Sequence, residues 1–332
     1  MPRLDLAHRA GNHCGSTALR DLSTYYGWGF DEPTCFGLAS GLGFSYLEQP
    51  EPPERLFFGR SNWLEWAFFE HLGIDHAVHE GQAFPDAWDA IAARLDAGDP
   101  VMLFTDLYYL DYYDSDTHFA PHSLLAVGDE ADRVHLADSE FDEVQTLPLE
   151  RLEAAMTSEH VVPLQCRYLT VEDPTVTVPM ADAAATAIRE TATFMLDPSA
   201  IDRDADAFGR QGLPAMRAFA AELPDWADLA DPAWAALFAY QNVERRGTGG
   251  GAFRYMYADF LAAVAADLGL PADAASRMRD ISADWTALGG LLQAAAHAEE
   301  ARRRSLLSAA GERADAIADR EAALYADLRE AV

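Results

Sequence analysis

The sequence predicts an α+β domain followed by an all-helical one, on three observations. With 332 residues, half of them hydrophobic, the chain is long enough for two packed cores rather than one. Up to about residue 172, short helical stretches are interleaved with β-like runs: VMLFTDLYY (101–109), HSLLAVG (122–128), RVHLADS (133–139) and QCRYLTV (165–171). Beyond EDPTVTVP (172–179), whose prolines and lack of period mark a linker, such runs nearly vanish and alanine-rich amphipathic segments take over. The expected domains are therefore 1–172 and 180–332.

Within the second domain the apolar spacing predicts helices over 180–196, 205–222, 232–243, 253–267, 271–295 and 297–330. LPADAASR (270–277) places a proline near a helix start, and the apolar residues of 301–328 recur at intervals of three and four, as on a long surface or partner-facing helix. Such a helix permits a homodimer. There is no internal repeat.

Composition removes several function classes. Acidic residues outnumber basic ones 55 to 24, every basic residue is arginine, and the net charge is −31. A chain so charged has no basic face with which to displace counterions from nucleic acid. It remains soluble where salt screens self-repulsion over roughly 3 Å, as at molar ionic strength, so a salt-adapted cytoplasm is the expected setting. Three cysteines, an odd number with no CxxC pair, disfavour a disulfide framework and a structural zinc site and suit a reducing compartment. The first residues lack the apolar core of a signal peptide, and no run approaches the roughly 20 apolar residues that a membrane span needs.

Chemistry is concentrated at GNHCGSTAL (11–19). Ala18, Leu19, Leu22 and Tyr25 or Tyr26 form a helical stripe that Gly27 ends, so Cys14 falls in the first turn of a helix, where unpaired N–H groups and the dipole favour a thiolate. A cysteine near a helix start is more often a small packed hydrophobe. The nucleophilic reading therefore needs a base and a group to orient it. HSLLAVGDEADRVHLADS reads as a β-hairpin, and centring it near residue 130 sets 126 against 134, 124 against 136 and His122 against Asp138. Directly opposed residues have Cβ atoms about 5 Å apart, close enough for the carboxylate to fix the imidazole tautomer. Cysteine on a helix start with histidine and aspartate on a later hairpin is the arrangement of papain-like enzymes.

Other positions carry weaker signals. The oxyanion hole would pair the Cys14 N–H with one side chain, for which Asn12 and His8 are candidates, while His13 is expected to point away as packing or substrate contact. In GLASGLGFSYL (37–47), Phe44 and Tyr46 are candidates to line a substrate pocket, or else belong to a buried turn. ERRGTGGGAFR (244–254) lacks the lysine and spacing of a P-loop; its Arg245, Arg246 and Arg254 suit a substrate-cleft or interdomain loop that meets a phosphate or carboxylate. Cys35 and Cys166 lie in apolar contexts that should raise a thiol pKa.

These motifs together resemble the family of butirosin biosynthesis protein H over nearly the whole chain. The resemblance is carried by HCGSTALRDLSTYYG (13–27), FGLASGLGFSYL (36–47), DLYYLDYY (106–113), HFAPHSLLAVG (118–128) with LADS (136–139), and VERRGTGGGAFRYMYADFL (243–261). More distantly, the first half is similar to bacteriocin-leader peptidases. The resemblance implies a papain-like domain followed by a helical domain that covers the cleft or mediates association. It also implies transfer of an acyl group from the phosphopantetheine thioester of a carrier protein, or from a peptide donor, to a small-molecule amine. Cys14 would exchange the acyl group, His122 would carry protons and Asp138 would orient His122, with no metal or organic cofactor. Two rivals share these residues: a peptidase or amidase that uses water as acceptor, and a non-catalytic scaffold that binds a carrier protein or peptide.

Overall fold

A computed structural model describes residues 3–201, 203 and 209–332. In chain order the elements begin with helices α1 (Cys14–Tyr25) and α2 (Glu32–Leu38), strands β1 (Leu42–Glu48) and β2 (Arg55–Arg60), and helix α3 (Leu64–Leu72). Then come β3 (Asp75–His79), α4 (Phe84–Ala97), β4 (Val101–Thr105), β5 (His122–Glu130), β6 (Arg133–Ala137), β7 (Gln145–Pro148), α5 (Leu149–Met156) and β8 (Tyr168–Asp173). The remainder is α6 (Met180–Leu196), β9 (Arg210–Gln211), α7 (Gly212–Glu222), α8 (Pro232–Glu244), α9 (Arg254–Leu268), α10 (Ala274–Ala296) and α11 (Glu300–Ala331).

Two compact units emerge, and their make-up corrects the expected division at one point. The first is the chain up to Cys35 plus Leu72–Thr177; the second is Phe36–His71 plus Val178–Val332. The break near 177 falls inside the expected linker. The segment 36–71, however, packs with the C-terminal helices, because its apolar side chains are buried against them rather than in the first core.

The first unit is built on a six-stranded antiparallel sheet in the order β3-β8-β4-β5-β6-β7. Leu124 and Ala126 of β5 join Val101 and Leu103 of β4 and Ile91 and Leu95 of α4 in one core, while α1 also packs on β5. Every residue of β5 from His122 to Gly128 is buried. A strand covered on both faces reads as a continuous apolar run, as HSLLAVG does. Helix α4 starts with Pro85 in its first turn and stops at Gly98, whose φ of +96° lets its N–H close on the last carbonyls.

In the second unit helices surround a three-stranded antiparallel sheet, β2-β1-β9. Five of the predicted helices match within a few residues; for the sixth, α7 begins at Gly212, and 205–208 of the expected 205–222 lie outside the described residues. The stripe of α11, running from Leu306 through Ala310, Ala314, Ile317 and Glu321 to Leu328, is buried. It packs on α6, α7 and α10 while most of its other positions are exposed, so α11 is the expected surface helix with its stripe turned to the helices of its own unit.

Candidate active site

The nucleophile candidate is placed by an anchored turn. His13 is the N-cap of α1: its backbone is extended and its ring Nδ1 accepts the Ser16 N–H at 3.2 Å. Glu32 of α2 gathers the approach to the helix. Its Oε1 accepts the N–H groups of Asn12 (2.8 Å) and His13 (2.9 Å) and the hydroxyls of Ser16 (3.3 Å) and Thr17 (3.2 Å). Gly11 runs so close that a Cβ there would lie 2.0 Å from Thr17 Oγ1, and its N–H donates to the Ser139 carbonyl at 2.8 Å. That bond ties the turn before Cys14 to the residue after Asp138.

The structure brings Cys14, His122 and Asp138 together, with the thiol and the His122 imidazole interacting directly. His122 Nε2 stands 3.0 Å from each oxygen of Asp138, and both side chains are buried. An Nε2–H donated to that carboxylate leaves Nδ1 as the ring atom that faces the thiol. The expected pairing of the hairpin is corrected. β5 pairs with β6 as Leu125↔Ala137 and Ala126↔Leu136, and a bulge between Ala126 and Gly128 shifts the rest to Asp129↔Val134. Extending the first register by one residue puts Asp138 opposite Leu124, so His122 and Asp138 meet on the diagonal.

Two groups that sequence reasoning missed complete the carboxylate's environment. Tyr112 donates its hydroxyl to Asp138 Oδ2 and Tyr113 donates to Oδ1, each at 2.8 Å, and the Tyr113 hydroxyl is 3.4 Å from His122 Nε2. The segment that carries them hangs from Asp106, a buried carboxylate directly after β4. It accepts from the N–H groups of Tyr108 (3.2 Å) and Phe119 (3.1 Å), Ser158 Oγ (2.7 Å) and His118 Nδ1 (2.7 Å). The repeated tyrosines of DLYYLDYY are the available signal, but no local pattern pairs residues 112 and 113 with residue 138.

The electrostatics follow from these contacts. Burial alone would raise the Cys14 thiol, yet electrostatic attraction and hydrogen bonding to His13 and His122 hold it well below the ordinary thiol range. For His122 burial opposes charge, but the Asp138 carboxylate and the Cys14 thiolate outweigh it and raise the imidazole. Burial likewise pushes Asp138 up, and His122 with the two tyrosines bring it below its usual range. Burial raises both Cys35 and Cys166, in the direction their apolar contexts predict.

The remaining candidates sit elsewhere than expected. His13 does not point away: its Nε2 is 3.9 Å from Cys14 Sγ. Asn12 gives its amide to Glu32 at 3.3 Å, and His8 uses one nitrogen on Asp21 (2.6 Å) and the other on the Phe141 carbonyl (2.9 Å), so both oxyanion candidates are engaged in holding the scaffold. Phe44 and Tyr46 have 0 % and 1 % of their surface exposed. Phe44 packs on Phe57, Phe219 and Trp285, and Tyr46 bonds to Glu222 and Trp226, which makes them core of the second unit rather than pocket lining. The three arginines do not form one cluster. Arg245 is exposed near Tyr240, Arg246 lies over the Phe238 ring at 4.2 Å, and Arg254 is fully buried against Glu321. Among the described residues no group of three or more His, Cys, Asp or Glu side chains could hold a metal ion.

Residues 13–139 match the family model described as butirosin biosynthesis protein H, N-terminal, a span that holds Cys14, His122 and Asp138. Residues 150–328 match a domain of unknown function, DUF4872. No curated protein matches the chain.

Proposed function

The chain belongs to the family of butirosin biosynthesis protein H, and from that membership and the site geometry we propose that it is a cysteine-dependent acyltransferase of secondary metabolism. One observation carries the reading: a thiol at a helix start, held below its ordinary pKa between two imidazoles, one of which is locked by a buried carboxylate. A papain-like mechanism follows. Cys14 thiolate attacks the carbonyl of a donor thioester; the new C–S bond forms as the donor sulfur leaves, taking its proton from His122. An amine then attacks the acyl-Cys14, gives its proton to His122, and the Cys14 thiolate leaves with the amide formed. Asp138, gripped by Tyr112 and Tyr113, keeps Nε2 of His122 as the donor to the carboxylate throughout. The Cys14 N–H, at the first turn of α1, is suited to receive the developing oxyanion.

The donor fitting this chemistry is a carrier-protein phosphopantetheine thioester or a peptide, and the acceptor is a small-molecule amine. Incubation with acyl-phosphopantetheine and panels of amines, read by intact mass and product analysis, tests the reading. An acyl adduct on Cys14 that yields amide with a subset of amines is expected. Release of free acid at one rate whatever amine is offered makes the protein a hydrolase, and no adduct with any thioester leaves a binding scaffold. A net charge of −31 supports a cytoplasm of high salt as the working medium. The melting temperature should then rise with potassium chloride up to molar concentration, and a flat response would remove that part of the proposal.

A further inference from the structure

Cys14 has an imidazole on two sides, and the mechanism above uses only one of them. His13 is buried, with 3 % of its surface exposed, and its Nε2 is 3.9 Å from the thiol sulfur. What its ring can do is decided at the opposite nitrogen. The Ser16 N–H, fixed in direction by the helix, points at Nδ1 from 3.2 Å. The Ser16 hydroxyl, 3.3 Å from Nδ1, is free to rotate and has Glu32 Oε1 as a charged acceptor at 3.3 Å. A helix N–H cannot turn aside, so a proton on Nδ1 would confront another proton. Nδ1 is therefore a lone-pair acceptor, and the ring's single proton is on Nε2.

We propose that His13 is a second catalytic residue, whose ring is locked by capping α1 so that its Nε2–H donates permanently into the Cys14 sulfur. The inference rests on the reading of Cys14 as the nucleophile. Its consequence is a division of roles between the two imidazoles. His122 takes up and returns protons; His13, held by the helix cap, keeps its Nε2–H on the sulfur and stabilises it whenever it is anionic. That state occurs twice per turnover, before attack on the donor and when the amine expels Cys14 from the acyl-enzyme. A fixed donor lowers the energy of the thiolate as leaving group in the second step, which a histidine that has just accepted the amine's proton also favours.

The titratable groups around the thiol are few: His13 on its own helix start and His122 on β5 face it directly. Asp138 and Tyr113 act through His122, and Glu32 acts through the His13 backbone and Ser16. The test is the pH dependence of Cys14 alkylation by iodoacetamide in the full chain, read by mass at each cysteine. H13N retains a capping side chain but is too short to reach sulfur, and H122N removes the other imidazole. The thiolate midpoint in H13N should rise by about one to two pH units, a ten- to hundredfold loss of thiolate below the midpoint, while H122N keeps part of the wild-type depression. A wild-type midpoint well below that of a free thiol and unchanged in H13N overturns the role of His13 and leaves the nucleophile standing. A wild-type Cys14 no more reactive than Cys35 and Cys166 overturns the nucleophile itself. Should H13N fail to fold, long-range proton–nitrogen NMR of histidine-labelled wild-type protein decides. An unprotonated Nδ1 and a protonated Nε2 at His13 across the Cys14 titration are expected; the opposite tautomer or a doubly protonated ring refutes the proposal.

Discussion

Asp138, after β6, and Glu321, on α11, are both carboxylates with no exposed surface, and each faces a cation-forming side chain. Glu321 receives Arg254 through Nε at 2.9 Å and Nη2 at 3.0 Å, Trp285 Nε1 at 2.8 Å and the Tyr325 hydroxyl at 3.1 Å. The third guanidinium nitrogen goes to the carbonyls of Gly43, Gly59 and Ala252. Every polar group there is answered by the protein, so the pair fastens β1 and β2 to the helices of its unit. Asp138 is as fully satisfied, by His122 and two tyrosines, but its partner is not closed: the other ring nitrogen of His122 is directed to a thiol. A buried ion pair whose valences end within the protein is architecture. One that ends on a nucleophile is chemistry.

If that distinction is right, substitutions in the two pairs should separate activity from stability. C14S should lower acyl transfer by about 10⁴-fold or more at an unchanged melting temperature; full activity would end the catalytic reading of the first pair. E321L strands a buried guanidinium and should cost about 3–5 kcal/mol in urea unfolding, part of it recovered in the R254M/E321L double variant, which removes the unpaired charge but leaves the Trp285 and Tyr325 donors and three carbonyls without these partners. A double variant no better than the single one would show that the arginine's carbonyl contacts, rather than the ion pair, fasten the unit. D138N should reduce transfer by roughly 10²–10⁴-fold, through loss of the tautomer of His122. Y112F and Y113F, each removing one hydroxyl from Asp138, should cost about tenfold apiece, with a larger effect for Y113F because its hydroxyl also approaches Nε2.

The smallest effect is the dependence of stability on pH, and its sign follows from the direction of each shift. Asp138 is lowered in the folded state, so its contribution is complete above about pH 4 and lost as pH falls through the native value. His122 is raised, so its contribution is complete below about pH 6.5 and lost as pH rises through the native value. The stability difference between wild type and D138N should therefore peak between those limits and shrink on either side.

Much of the site was legible because it is local. Cys14 at a helix start follows from one amphipathic stripe, and the hairpin from two apolar runs about a polar turn. The bulge between Ala126 and Gly128 was not legible, yet the pairing survived it because a diagonal neighbour is also within reach of an imidazole. His13 was misjudged for a physical reason: a residue at an N-cap has left the helix, so helical spacing says nothing about where its ring points. Phe44 and Tyr46 were misplaced because glycines flanking aromatics suit a pocket turn as well as a strand. Truncation at the linker would strip residues 36–71 of the helices that bury them.

The sequence by itself determined that a mixed first half is followed by helices, that Cys14 opens a helix, and that His122 opens one strand of a hairpin and Asp138 follows the other. Each depends on periodicity or on residues a few places apart, which the chain's covalent geometry converts directly into position. Only the tertiary structure decided that residues 36–71 belong to the second unit, that Arg254 is matched to Glu321, and that two tyrosines hold Asp138. Those contacts join residues 25 to 211 positions apart. Such contacts are selected by the burial of complementary surfaces, which no local pattern encodes.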